Sequence, residues 1–431
     1  MDYQSMYRSK VVPVEEALQQ IKSNDEVVCS LVACEPVTLL KNLHIIKEQV
    51  KNVSVVSAFM LGNYKFFTEP EMKGHFFLNS WFYSDAPRAA HDLETVSYVP
   101  MELHRFSRAR LGYRRPNVFL GCASPMDEHG YVSLSLCTVI EKDFIENADI
   151  VIMEINPEFP RTLGDTHVHI SDIDYIVETD REIPTLPSPE PGDIEIAIGS
   201  YVADLIEDGS TIQIGWGGIT AAVALALRDK KDLGVHSEML TDSILDLYEA
   251  GAVTNRRKTL WKDKFITNVV FGTRRLYDFV DNNLAVEMHR GSVVNNPHII
   301  GQNHKMVSVN AALEMDLTGQ CCAESIGPRL FSGTGGHKEF IIGSQRSEGG
   351  KSIVAFHSTA KRGTVSRIVP WFEPGTVVTT SRVDIDYVVT EYGVAHLKGR
   401  SLRERTQELI NIAHPDFRDY LASEARRHHI W

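Results

Sequence analysis

Apolar positions along the chain fall into short runs. NVFLGCA (117–123), DIVIMEI (149–155), NVVFG (268–272), SIVAF (352–356), TVVTT (376–380) and DYVVT (386–390) are strand-length and rich in Val or Ile. Unbroken apolar runs of that size predict strands buried on both faces, as in parallel sheets. Helical patterns lie between several of them. SLRERTQELINIA, from Ser401 to Ala413, predicts a helix opened by a capping box, because Ser401 and Glu404 have the required spacing. Pro415 to Arg427 predicts a further amphipathic helix.

The clearest interruption is Arg181 to Asp193, REIPTLPSPEPGD, whose Pro184, Pro187, Pro189 and Pro191 forbid a continuous helix or central strand. It divides the chain into an expected domain over 1–183, a linker over 184–193 and a second domain over 194–431. The two parts open alike. ALQQIKSNDEVVCSLVACEPVTLLKNL and VADLIEDGSTIQIGWGGITAAVALAL both read as helix end, polar turn, strand, small-residue loop and second helix. A shift of 184 residues sets Asp25 on Gly209 and Val27–Cys29 on Thr211–Gln213. Two α/β domains with largely parallel sheets follow from that order.

Composition narrows the function classes. The 431 residues are 43% hydrophobic and 23% charged, which excludes global disorder. No apolar run approaches the ~18 residues that cross a bilayer; Ala221 to Leu227 stops at Arg228, and MDYQSMYRSK carries no secretory apolar core. A formal charge of −13 argues against a nucleic-acid partner. The six cysteines show no C-x-x-C spacing, so neither a zinc ribbon nor a disulfide framework is expected, and a reducing, cytoplasmic setting is. His167 and His169 would share one face of a strand, but no acid or cysteine completes a ligand set, and no metal is expected.

Candidate chemistry gathers at glycine loops. Gly215-Trp216-Gly217-Gly218 follows STIQI and opens the helix ITAAVALAL, where backbone N–H groups and a helix N-terminus favour an anion. Gly215-x-Gly217 with Glu238 downstream also fits part of a dinucleotide fingerprint, which keeps a nicotinamide-dependent oxidoreductase in view; its third glycine is here Thr220. Glu238 lies beyond a predicted strand, Leu233 to Ser237, at the edge where open α/β sheets hold ligands, and before a helix over Ser243 to Ala250 with Asp242 as candidate cap. A second loop, Phe331-Ser332-Gly333-Thr334-Gly335-Gly336-His337, precedes another strand or helix start, with Lys361, Arg362 and Arg382 downstream. Two donor-rich loops and a basic segment suit a ligand bearing phosphates and a reacting carbonyl.

SGTGGHKEF, GGKSIVAFHSTAKRGTVSRIVP, DYVVTEYGVAHLKGRSLRER, NIAHPDFRDYL, SPMDEHGYVSLS and VSVNAALEMDLTGQ resemble the acetyl-CoA hydrolase/transferase family of CoA-transferases, from about Val11 to Leu421. HSEM around Glu238 is most similar to the 4-hydroxybutyrate and butyryl-CoA:acetate transferases of that family. The resemblance implies two similar domains of the NagB/RpiA-like type, coenzyme A as substrate and covalent intermediate, a short-chain carboxylate as the other partner, no metal, and a homodimer or dimer of dimers. It places the catalytic glutamate on Glu238. Its CoA-binding loop falls on Gly215, Trp216, Gly217, Gly218 and Ile219, and its second loop on Gly333 to Gly336, with Gly335 and Gly336 as oxyanion donors. Asn310 and Lys361 match further positions near CoA. His337 and Glu339 stand where the family often has Gln and Asp, and Trp216 and Thr220 replace commoner small or proline residues. The expected activity is CoA transfer between short-chain acyl-CoA and 4-hydroxybutyrate, butyrate or acetate through a glutamyl-CoA thioester. Alternatives are hydrolysis of acetyl-CoA with water as acceptor and a non-catalytic CoA-binding regulator.

Overall fold

The computed structural model describes residues 2–430, which form two compact units. One comprises the chain up to Leu186 together with Ile266–Val294; the other comprises Pro187–Phe265 and the chain from Asn295 onward. Residues 266–294 thus lie beyond the proline-rich segment in sequence yet pack in the first unit.

The first unit is built on seven parallel strands: β1 (Glu26–Cys29), β2 (Val53–Ser57), β3 (Phe76–Ser80), β4 (Val96–Tyr98), β5 (Val118–Ala123), β6 (Ile150–Ile155) and β7 (Tyr175–Glu178). Their order is β4-β3-β2-β1-β5-β6-β7. All of β1 and β5 is buried, as unbroken apolar strands covered on both faces should be.

The second unit carries six strands: β8 (Thr211–Ile214), β9 (Gly234–Val235), β10 (Met306–Ala311), β11 (Lys351–Ala355), β12 (Tyr387–Thr390) and β13 (Gly393–His396). They run in the order β9-β8-β10-β11-β12-β13, parallel except for the hairpin of β12 with β13. Its helices include α1 (Asp193–Leu205), α2 (Gly218–Ala226), α3 (Asp242–Glu249), α4 (His337–Arg346), α5 (Leu402–Ile412) and α6 (Pro415–Arg427). Met315, Leu317, Ile341, Val354, Phe356 and Leu409 anchor one core beneath this sheet and are all buried. The capping box forms as the spacing predicts: Ser401 accepts from the Glu404 N–H at 3.3 Å, and Glu404 accepts from the Ser401 N–H at 2.8 Å.

In each unit the first strand sits inside the sheet, its successor on one side and a later strand on the other. The winding therefore reverses between β1 and β5, and again between β8 and β10. Loops leaving the carboxyl ends of two such strands diverge and open a crevice.

Three local expectations change. TVVTT forms no ladder beyond a single bridge of Thr380 to Cys321. Serine and threonine oxygens take backbone partners there instead, Ser325 from the Val377 N–H and Thr379 from Ala323, both at 2.9 Å, and Val378 stays 44% exposed. In NVVFG only Val269–Val270 is strand, and the Gly272 carbonyl beyond it accepts from the Leu186 N–H. Thr241, not Asp242, is the cap residue of α3; Asp242 occupies its first turn, where a carboxylate complements the helix dipole.

Candidate active site

Short β9 fixes the approach to Glu238. It pairs with β8 only over Gly234–Val235, after which the His236 N–H still donates to the Ile212 carbonyl at 3.2 Å. The Ser237 hydroxyl then reaches the carbonyls of Met239 (2.9 Å) and Ile214 (3.3 Å). A side chain at Gly234 would meet Lys258, whose Cγ lies 2.3 Å from where a Cβ would stand. That lysine is buried, and its ammonium donates to the carbonyls of Val235 and Lys264 at 2.7 Å each. A desolvated cation thus holds the strand end from which Glu238 projects.

The Glu238 carboxylate meets the second glycine loop. Asn295 Nδ2 donates to its Oε2 at 2.7 Å and also reaches Oε2 of Glu339 at 3.3 Å. The Gly336 N–H donates to the same carboxylate. Gly336 caps the N-terminus of α4, so the partial positive end of that helix faces the acid. A Cβ on Gly336 would stand 1.9 Å from Glu238 Oε2; with φ at −85°, the position demands glycine for space, not for conformation. Burial and the neighbouring Glu339 charge raise Glu238 to about 7, against the lowering effect of Asn295 and Gly336. Beside it, burial holds His337 down at about 4, which leaves its ring neutral.

The first glycine loop shapes a different recess. A cavity of about 250 Å³ lies at the carboxyl ends of β8, β10 and β11, lined by Trp216, Gly217, Gly218, Ile219, Asn310, His357 and Arg367 among others. Gly217 adopts φ +136° with open space around its Cβ position, so conformation is what requires glycine there. Asn310 Nδ2 donates to Gln213 at 3.3 Å, and Glu195 of α1 pairs with His357 at 2.9 Å on the rim. Lys361 lies at the tip of a tight hairpin and lines a second cavity of about 460 Å³ with Trp371, Ile326 and Arg367. Arg367 borders both cavities.

The expected residues other than Gly215, Gly333 and Gly335 fall in three places. Glu238 meets Gly336; Trp216 to Ile219 meet Asn310; Lys361 stands with Arg367. Asn295, Lys258, Glu195, His357 and Arg367 were not singled out by the sequence reading. Only the KRGTVSR run hinted at Arg367; no local motif marks Asn295, which reaches Glu238 across 57 residues of chain.

Residues 1–187 match the acetyl-CoA hydrolase/transferase N-terminal domain, and residues 272–425 match the C-terminal domain of the same name. The chain belongs to the acetyl-CoA hydrolase/transferase family. Within it, the chain is 44% identical to a succinyl-CoA:cyclohexane-1-carboxylate CoA transferase of Geobacter metallireducens, over 99% of this chain and 97% of that one. It is 43% identical to a 4-hydroxybutyrate coenzyme A transferase of Clostridium kluyveri, over 99% and 100%. Among solved structures, RipA from Yersinia pestis superposes with a TM-score of 0.95 at 34% identity, both chains fully covered. A 4-hydroxybutyrate CoA-transferase from Porphyromonas gingivalis gives 0.85 at 36% identity, over 99% and 100%. For this family the parallel sheets are the expected scaffold. Among the described residues no cluster of ligating side chains could hold a metal, and no helix is long and apolar enough to cross a membrane.

Proposed function

We propose that this family member is a CoA-transferase that moves CoA between a short-chain acyl-CoA and a carboxylate such as 4-hydroxybutyrate, butyrate or acetate, with Glu238 as the nucleophile. The observation that carries the reading is the setting of Glu238: a carboxylate at a helix N-terminus, held by Asn295 and Gly336 and pressed by Glu339. The names of the full-length relatives support the substrate class.

A carboxylate needs no base to become a nucleophile; it needs position and reduced hydration. Glu238 attacks the acyl-CoA carbonyl, the C–S bond breaks, and an acyl-glutamyl anhydride and CoA thiolate result. The thiolate then attacks the glutamyl carbonyl and expels the first carboxylate, leaving a glutamyl-CoA thioester. The incoming acid runs the two steps backwards and leaves as the new acyl-CoA. When the glutamyl carbonyl is attacked, negative charge grows on Glu238's own oxygen, next to the Gly336 N–H; Gly335 supplies a neighbouring backbone donor. Each such donor typically contributes about 3–4 kcal/mol to the transition state. The loop from Gly215 to Ile219, with Asn310, Gly333 and Lys361, holds CoA, whose long arm supplies binding energy remote from the reacting centre. The protein acts in the cytoplasm as a homodimer or dimer of dimers.

Purified protein should consume acyl-CoA only when an acceptor acid is present. Quenched in mid-turnover, it should carry CoA on the peptide containing Glu238, and Glu238→Gln should abolish transfer. Acyl-CoA loss independent of added acetate would favour the hydrolase reading. A CoA adduct on another peptide would remove Glu238 from the mechanism.

A further inference from the structure

Glu339 lies in the first turn of α4 and is buried. Its Oε2 accepts from the same Asn295 nitrogen that donates to Glu238 at 2.7 Å. One amide nitrogen carries two hydrogens and can serve one carboxylate with each. Two acids on one neutral donor, away from bulk water, repel one another with little screening. The His337 ring is neutral, His236 pairs with Asn303 at 3.3 Å, and the Lys258 ammonium is committed to backbone carbonyls.

We propose that Glu339 is a positioning residue for Glu238, sharing the Asn295 amide with it and holding its ionised carboxylate at raised free energy until acylation removes the charge. Repulsion exists only while Glu238 is a carboxylate. It vanishes in the anhydride and in the thioester, so Glu339 pushes the first step, from carboxylate to anhydride, toward the covalent enzyme. This deepens the reading of Glu238 as nucleophile and rests on it.

The test follows kcat/KM for acyl-CoA from acidic to alkaline pH in the wild type, Glu339→Gln and Glu339→Asp. In the wild type activity should rise with pH through about 7, as Glu238 ionises. Glu339→Gln keeps the shape and removes the charge, and should move that limb down by roughly one pH unit. The amount of CoA adduct trapped at equilibrium should fall about tenfold, since one unit of relief to the carboxylate is a tenfold change in its conversion. Glu339→Asp keeps the charge and should leave the limb near its wild-type place. A Glu339→Gln limb that does not move, whatever the overall rate, overturns the assignment, as does Glu339→Asp moving it equally far. If the wild type carries an adduct on Glu238 while the limb stays fixed, the nucleophile stands and only the role of Glu339 falls. If the wild type carries none, both fall.

Discussion

Replacing Glu238 by Gln should make the protein more stable, and only above a definable pH. Folding raises the Glu238 carboxyl from 4.5 to about 7, so the folded state disfavours its ionised form. Below 4.5 the group is protonated in both states and no penalty exists. As pH rises from there the unfolded chain ionises first, and stability is lost until the folded group also ionises near 7; above that the penalty is constant. At about 1.4 kcal/mol per unit, the full loss is about 3 kcal/mol. Gln carries no charge at any pH and escapes it. Urea unfolding of both proteins at a series of pH values should show little pH-dependent difference in the acid and a widening one toward neutrality. With a slope of about 3 kcal/mol per molar, the midpoint of the Gln variant should rise by about 1 M. Trp261, whose ring lies 5.9 Å from that of His236, gives a fluorescent reporter inside the same unit. A stability difference that does not change between acid and neutral pH would refute the argument, because only titration of Glu238 produces that curve.

Gly336→Ala should leave acyl-CoA binding largely intact while kcat falls by about 100-fold, because the new methyl, 1.9 Å from Oε2, must drive the carboxylate out of line; steady-state kinetics with near-normal kcat would contradict the close approach. Ser401→Ala removes the hydroxyl half of the capping box on α5, while the backbone N–H of residue 401 still donates to Glu404. It should lower unfolding stability by about 1 kcal/mol without changing kcat, as thermal unfolding and turnover of the same sample would show.

Where local chemistry decides, the chain announced its structure. β5 and β11 were visible as unbroken apolar runs, and α5 and α6 began where Ser401 and Pro415 said they should. TVVTT misled because β-branched residues promise a strand only if neighbours offer ladder partners; here hydroxyls took those backbone groups. The glycine loops were legible, but not why each glycine is there. Gly217 needs its positive φ and Gly336 needs to be small, and these are indistinguishable as letters. Asn295 was invisible for a further reason. It acts through one long-range contact, and an asparagine before Asn296-Pro297 reads in sequence as an ordinary turn.

The opposed influences on Glu238 have a common logic. Burial and Glu339 push its proton affinity up, while Asn295 and the Gly336 N–H pull it down, and the balance falls at about 7. A nucleophile gains reactivity as its charged form is made less comfortable, but only while that form remains populated. Well below the working pH, each upward step leaves the ionised fraction almost unchanged and raises the energy of the attacking oxygen. Beyond the working pH, every further step removes as much ionised enzyme as it adds in reactivity. Without Asn295 and Gly336, desolvation and the second acid would carry the group past that point and leave it protonated. Without Glu339 it would fall only part of the way back, because burial still holds it up. Setting both acids on a single amide lets one side chain fix the distance between them, and that distance sets how much the second acid adds to what burial already does.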